Sequence, residues 1–273
     1  MKAKLNKYYW ESIAKKVSER NYYMRSTILG KYKRDFFLDV IRNWNLEINN
    51  KTILKTDLFE EAFGPDEILF SISRDYKPKR IYGIDISNRV VAKAKNNYIK
   101  KIPNKKIILQ NEDLKKLSFK DNYFDLIISQ STLDHFEDLN DLNEVMKELY
   151  RVLKPRGKLL FSINNKHNFL FYLVHEFQRI FRLIYVYSSG CFTRSQLKTI
   201  THKGGFKFLN ETAVYSVPPF VRLVYNYMES KKFNLINEFL EKLINVFKKL
   251  DRSFLRFYTG WYLLFLVEKS ERT

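Results

Sequence analysis

The chain has a single cysteine, Cys191, among 273 residues. One thiol excludes an internal disulfide framework and any multi-cysteine metal site within the chain, and it fits a reducing cytoplasm. Glycine and proline are scarce, with eight and six copies. There are no internal repeats and no low-complexity segments. The segment MKAKLNKYYW lacks the 7 to 15 residue apolar core of a secretory signal, so no export is expected. The most apolar long segment, 169–187, is interrupted by His175, Glu176, Gln178, Arg179 and Arg182, so no bilayer span is expected. Zinc-ligand spacing, a Walker loop and a nucleophile elbow are all missing. Acidic residues are outnumbered, with 30 Asp and Glu against 49 Lys and Arg, for a formal charge of +19. Such a balance suits nucleic acid, an anionic membrane surface or an acidic substrate, although lysines scattered along the chain also fit a simple compositional bias.

What is present is organised around residues 124–163, FDLIISQSTLDHFEDLNDLNEVMKELYRVLKPRGKLLFSI. Phe124 to Ser129 is an apolar, β-branched run of strand length, and Gln130 to Asp138 is a polar loop. Leu142, Val145, Met146, Leu149, Val152 and Leu153 then recur at spacings of three and four, which predicts one apolar stripe on a helix. Lys154-Pro155-Arg156-Gly157 predicts its end, with Gly157 able to take the left-handed closing conformation, before a new strand from Lys158 to Ile163. Strand, helix, strand implies parallel pairing. Ligands of a parallel sheet lie beyond the carboxyl ends of its strands, which places the loop carrying Asp134 and His135 at a site.

Upstream, Tyr32, Phe36, Phe37, Val40 and Ile41 mark a helix in an N-terminal cap, 1–50. Lys51 to Thr56 reads as a strand. Asp57 and Glu60 have capping-box spacing for the helix that follows, and Gly64-Pro65-Asp66 offers a second start. Ile81 to Ile84 is a strand ending in Asp85, Ser87 can cap a helix from Asn88, and Lys105 to Leu109 is a strand followed by Glu112, Asp113 and Leu114. Strands alternating with helices over 52–163 indicate a doubly wound α/β sheet. Two amphipathic helices follow. One has Phe169, Leu173, Phe177, Ile180, Phe181 and Ile184 on its apolar face, with His175, Arg179 and Arg182 on the other. The second, about 233–250, belongs to an insert, 217–258. Between them a helix from Thr193 leads to a strand, Phe206 to Ser216, and Gly260 to Val267 closes the sheet in a final core segment, 259–273. The core is thus 51–216, with a helical insert near 166–190.

This order, with acids ending strands two and three, resembles a class I S-adenosylmethionine-dependent methyltransferase over roughly 50–215 plus the final strand. The segments FDLIISQSTLDHF and LNEVMKELYRVLKPRGKLLFSI are similar to the fourth and fifth strand region of small-molecule and lipid methyltransferases. The resemblance implies a Rossmann-like, mostly parallel seven-stranded sheet with helical additions forming a lid. It also implies S-adenosylmethionine as cofactor, held by Thr56, Asp57, Leu58, Phe59, Asp85, Ile86, Asp113, Leu114, Ser129 and Gln130. Asp85 would accept from the ribose hydroxyls and Asp113 from the adenine amino group, while Leu114 would supply an amide and an apolar wall. One departure is plain: the glycine-rich turn expected after strand one is Lys55-Thr56-Asp57-Leu58-Phe59-Glu60-Glu61, where Asp57, Glu60 or Glu61 could face the sulfonium and amino group instead.

His135 is the base candidate, with Asp134 beside it able to raise its basicity; His167 is a weaker one, and His175 and His202 read as helix-surface residues. The expected acceptor is small or lipid-linked, with peripheral contact to an anionic membrane by the apolar, basic-faced helices as one arrangement. Packing of those helices on the sheet or on a second subunit is the other. A nucleic-acid methyltransferase is the rival favoured by charge. A non-catalytic binding protein is the rival favoured by the glycine-poor loop.

Overall fold

A computed structural model describes residues 7–20, 27–64, 67–101, 107–136, 138–180, 190–221 and 237–271. Two N-terminal helices, α1 (Lys7–Arg20) and α2 (Thr27–Asn43), precede β1 (Thr52–Thr56). Then follow α3 (Phe59–Phe63), α4 (Ile68–Asp75), β2 (Arg80–Asp85), α5 (Asn88–Lys101), β3 (Ile107–Asn111), β4 (Phe124–Gln130), α6 (Leu139–Val152) and β5 (Leu153–Asn165). The remainder is α7 (Phe169–Ile180), β6 (Cys191–Phe192), α8 (Arg194–Lys203), β7 (Phe206–Val214), α9 (Asn237–Arg252), α10 (Arg256–Thr259) and β8 (Tyr262–Lys269). Pro65-Asp66 and the distal part of the helix expected through 187, including Phe181, Arg182 and Ile184, lie outside the described residues.

The sheet runs β3-β2-β1-β4-β5-β8-β7, with the short β6 added parallel to β5. Strands β1 to β5 pair in parallel, and β8 runs antiparallel to both neighbours. This is the doubly wound, mostly parallel architecture expected. Because side chains alternate along a strand, each strand feeds two cores. Ile53, Ile81, Leu126, Ile128, Leu160 and Leu264 join the core that also contains Ile13, Ile41, Leu69 and Phe247 from the N-terminal helices, α4 and α9. Leu54, Tyr82, Ile127, Leu159 and Leu263 join the opposite one, with Leu142, Val145 and Leu149 of α6 and Leu197 of α8.

Two local expectations are corrected. Helix α6 ends because Leu153 is already extended, and the left-handed residue in the turn is Arg156 (φ 60°), not Gly157. Gly157 serves close approach instead, since a Cβ there would lie 2.7 Å from the Lys154 carbonyl oxygen. The capping box at Asp57 and Glu60 is absent: Leu58 occupies the N-cap of α3, and no side chain caps it. Ser87 does cap α5, accepting from Val90 N at 3.3 Å.

The helical additions are keyed to the sheet by Asp251, which is 3% exposed. Its carboxylate accepts from Tyr215 N (3.1 Å), Ser216 N (3.0 Å), Ser216 Oγ (2.6 Å) and the Tyr32 hydroxyl, so it joins α9, the end of β7 and α2. Burial drives the Asp251 carboxyl upward, opposed by these donors, and burial followed by the Asp251 charge raises the Tyr32 hydroxyl. Asp251→Ala strands several buried donors and is expected to lower stability by about 3 kcal/mol, read as a shift in the urea midpoint. Asp251→Asn, which keeps two acceptor lone pairs, is expected to lose about half of that.

Candidate active site

The strand β1 leaves the sheet through Asp57, whose backbone is left-handed (φ 66°). Glycine is the default residue for that conformation, and Asp is among the few others that tolerate it. Here the turn is held by hydrogen bonds: Asp57 Oδ1 accepts from Phe59 N at 2.7 Å, and the Asp57 carbonyl accepts from Lys55 Nζ. The absent glycine is thus compensated by the side chain of its replacement.

Asp85, at the end of the adjacent parallel strand, ties the two strand-end turns together. Its Oδ2 accepts from Leu58 N (2.9 Å) and its Oδ1 from Ser87 N (2.8 Å). Burial, reinforced by the negative charge of Asp57, pushes the Asp85 carboxyl from its ordinary 3.8 up to about 8. Burial raises the Asp57 carboxyl too, while the positive charge of Lys55 and, after it, the nearby His135 oppose that rise. His135 is therefore within electrostatic reach of Asp57, a carboxylate 78 positions upstream.

Behind this turn lies a buried ion pair that sequence reading missed. Lys55 Nζ donates to Glu61 Oε2 at 2.9 Å, with side chains 3% and 0% exposed. Glu61 Oε1 accepts from Leu69 N at 2.9 Å, so this carboxylate serves the turn rather than the crevice. Burial raises the Glu61 carboxyl, and the Lys55 charge opposes that.

The third wall is the loop after β4. Thr56 Oγ1 lies 2.9 Å from both Ser129 Oγ, to which it donates, and Thr132 Oγ1. Gln130 is buried at the strand end, Ser131 is left-handed (φ 50°), and Ser131 N donates to Ser162 Oγ at 2.9 Å. A 3-10 turn, Leu133–His135, then brings His135 against Trp10 of α1, with ring centroids 4.6 Å apart at 66°. Asp134 is buried, and its carbonyl accepts from Gly190 N at 2.8 Å.

Helix α1 crosses the same end of the sheet. Glu11 Oε1 accepts from Asn88 N at the start of α5 (2.5 Å), and Glu11 pairs with Arg89 at 3.4 Å. Lys7 Nζ donates to Asn111 Oδ1 at the end of β3 (3.2 Å). No motif announced Trp10 or Glu11; an amphipathic helix with a Trp and an acid one residue apart was the only sign.

The strand-end residues thus converge, with differences among them. Thr56 is bonded to Ser129, Leu58 N to Asp85 and Phe59 N to Asp57, Gln130 is buried at the end of β4, and the partly buried Ile86 follows Asp85. Leu114 is buried, but Asp113 is exposed and its Oδ1 accepts from Lys115 N of its own turn (2.9 Å). That turn is attached to Asp85 through Glu112 N, which donates to the Asp85 carbonyl at 3.1 Å. His167 is exposed and 6.4 Å from the Tyr258 ring, and His202 is exposed on α8 as expected. His175 overturns its surface assignment: it is 5% exposed, beside Phe171 and 3.9 Å from Cys191 Sγ.

Residues 62–161 match the family model described as a methyltransferase domain. The matched stretch runs from α3 into β5, within the parallel half of the sheet. A curated relative, the demethylmenaquinone methyltransferase of Bacteroides fragilis, is 30% identical over 125 residues, covering 45% of this chain and 50% of that protein. The chain therefore spans about half the length of the curated relatives it matches. Solved structures share the methyltransferase fold along most of the chain. The putative sarcosine dimethylglycine methyltransferase from Galdieria sulphuraria superposes with a TM-score of 0.61 at 12% identity, over 88% of this chain and 86% of that one. The Haemonchus contortus phosphoethanolamine N-methyltransferase 2, solved with S-adenosyl-L-methionine, gives 0.59 at 18% identity over 87% and 53%. Among the described residues, no helix is long and apolar enough to cross a membrane, and no cluster of His, Cys, Asp or Glu could hold a metal ion.

Proposed function

We propose that the protein transfers a methyl group from S-adenosylmethionine to a small or lipid-like acceptor. The observation that carries this reading is the pair of half-buried carboxylates, Asp57 and Asp85, whose carboxyls desolvation pushes upward, at adjacent strand ends of a chain that matches a methyltransferase family model. Two carboxyls held above their ordinary range by burial form a site short of positive charge and of donors, which a cationic nucleoside supplies. Each Asp85 oxygen accepts one backbone amide and keeps a lone pair for a ribose hydroxyl. Asp57 lies toward the methionine end, and Leu114 with Asp113 toward the base. The names of the relatives support a small or lipid-like acceptor: a demethylmenaquinone, a malonyl-acyl-carrier protein and a phosphoethanolamine.

When bound, S-adenosylmethionine supplies an electrophilic methyl on a sulfonium. The chain's own residues do the positioning, which is where most of the rate of such a displacement arises. Helix α1, pinned by Glu11 and Lys7, covers the crevice and excludes water. His135, held by Trp10 and facing Asp57, takes the proton of an acceptor that must lose one.

Calorimetric titration with S-adenosylmethionine and S-adenosylhomocysteine tests the reading. Micromolar binding of both is expected; no binding at millimolar concentration would overturn it and leave a non-catalytic interaction protein. The pH dependence has a defined sign. Both carboxyls hold protons more tightly in the folded protein than unfolded, so the unliganded protein loses stability as pH rises from 3.8 through about 8. A bound cation favours their ionised forms and releases protons, so affinity for S-adenosylmethionine is expected to rise across that window. S-adenosylhomocysteine, which lacks the sulfonium charge, is expected to show the shallower rise.

A further inference from the structure

Helix α7 wears its apolar stripe on the outside. Phe169 and Phe177 are 70% and 55% exposed, with Leu170 and Leu173 about half exposed on the same stripe. The opposite side is the buried one, where Phe171 stacks on Trp261 with centroids 4.6 Å apart. The face extends onto a second element. Asn165 Nδ2 donates to the carbonyls of Phe257 (2.9 Å) and Gly260 (2.8 Å), and Asn168 Nδ2 to that of Thr259 (2.6 Å), so α10 docks at the base of α7. There Phe254 and Tyr258 are 78% and 63% exposed, and Tyr258 meets the His167 ring. All of this lies at the carboxyl end of β5, the crevice end of the sheet.

A contiguous aromatic and aliphatic face of this kind marks an interaction site, because soluble chains rarely leave one uncovered. Its rim specifies the partner. Lys248, Lys249 and Arg252 are exposed on the last turns of α9, directly before Phe254, and Lys166 and His167 are exposed before Phe169. Aromatic anchors bordered by cations, on a chain of formal charge +19, complement an anionic bilayer surface. A second copy carries the same charge and is repelled. Single-stranded nucleic acid would call for rings interleaved with cations, whereas α7 alternates Phe with Leu.

We propose that this face docks the protein on anionic phospholipid bilayers with the crevice mouth toward the surface. Docking rests only on the face. Its service to a membrane-resident acceptor rests on the methyltransferase reading above.

The test is co-sedimentation of the full chain with phosphatidylcholine vesicles and with vesicles containing phosphatidylglycerol, without cofactor. The variants are Phe169→Ser with Phe177→Ser, Phe254→Ser with Tyr258→Ser, and Lys248→Glu with Lys249→Glu. All six positions are on the surface, and an unchanged melting temperature and cofactor titration confirm folding. Partition into the phosphatidylglycerol vesicles is expected, weakened about tenfold or more by each double variant and by about 0.5 M salt. Absence of partition, or aromatic variants that partition like wild type, would overturn the proposal. So would a dimer in sedimentation velocity that Phe169→Ser with Phe177→Ser dissolves, since a second copy would then be the occupant. Because the vesicles are read without cofactor, failure here is separable from failure of the methyltransferase reading.

Discussion

Asp85→Ala is expected to raise the dissociation constant for S-adenosylmethionine by about 100-fold or more, enough to bring micromolar binding to the edge of detection in a calorimeter. Two ribose hydroxyls donating to one carboxylate contribute about 1.5 kcal/mol each at the low end of charge-assisted bonds, and 1.4 kcal/mol is a factor of ten. The substitution acts a second time through the protein. Asp85 accepts from Leu58 N and Ser87 N, so its removal frees both turns that shape the crevice. Asp85→Asn separates the two effects, because an amide keeps an acceptor for one turn while losing the charge; a loss nearer tenfold is expected. Folding is a weak confounder. The carboxyl is held near 8 by burial and by Asp57, so the charge it carries is poorly solvated in the unliganded protein, and losing it offsets the loss of its two hydrogen bonds. A change in melting temperature of only a few degrees is therefore expected. Binding by Asp85→Ala within about threefold of wild type would show that the cofactor does not rest on this carboxylate.

The acids at strand ends were legible because position in a parallel sheet, rather than residue type, makes a strand-end residue a site residue. That reasoning singled out Asp85, which ends β2 and accepts from the backbone of both neighbouring turns. The first turn was harder, since its pattern reads as missing glycines; that Asp57 adopts the left-handed backbone itself, with its own side chain bonded to Phe59 N, is a conformational fact no spacing encodes. Position alone did not reveal that Asp113 is exposed and closes its own turn onto Lys115 N. Period identified the apolar stripe of α7 but not its direction. A stripe of Phe and Leu normally points inward, yet the helix is fixed from the other side by Phe171 on Trp261, and by Asn168 bonded to Thr259, which turns Phe169 and Phe177 to solvent and buries His175. The reach of α1 was illegible for another reason. Trp10 on His135 and Glu11 on Asn88 join residues 125 and 77 positions apart, and only the closed sheet brings them together.

Lys55→Met is expected to destabilise the domain by about 3 to 5 kcal/mol, the largest stability loss predicted for any single site. The ammonium is the counter-charge of Glu61, whose side chain is fully buried and whose other oxygen accepts from Leu69 N. It also accounts for the hydrogen bond to the Asp57 carbonyl that holds the left-handed turn. Removing it leaves a buried carboxylate held only by backbone donors, without its counter-charge. The loss depends on pH with a sign that follows from the chemistry. Burial already raises the Glu61 carboxyl above its ordinary 4.5, and without Lys55 to pull it down it rises further. A carboxyl raised by folding stabilises the fold below its unfolded value and surrenders that contribution as pH increases through the folded one. The gap between wild type and Lys55→Met is therefore widest at neutral pH and narrows as pH falls toward 4.5. Urea midpoints measured across that range decide it. A constant gap would mean that the variant acts through lost packing of the lysine stem. If Glu61→Gln is combined with Lys55→Met, the amide oxygen still accepts from Leu69 N while the stranded charge is gone, and recovery of about half of the lost stability is expected. That recovery would identify the pair as the device by which this fold makes, without glycine, the turn on which Asp57 and Asp85 meet.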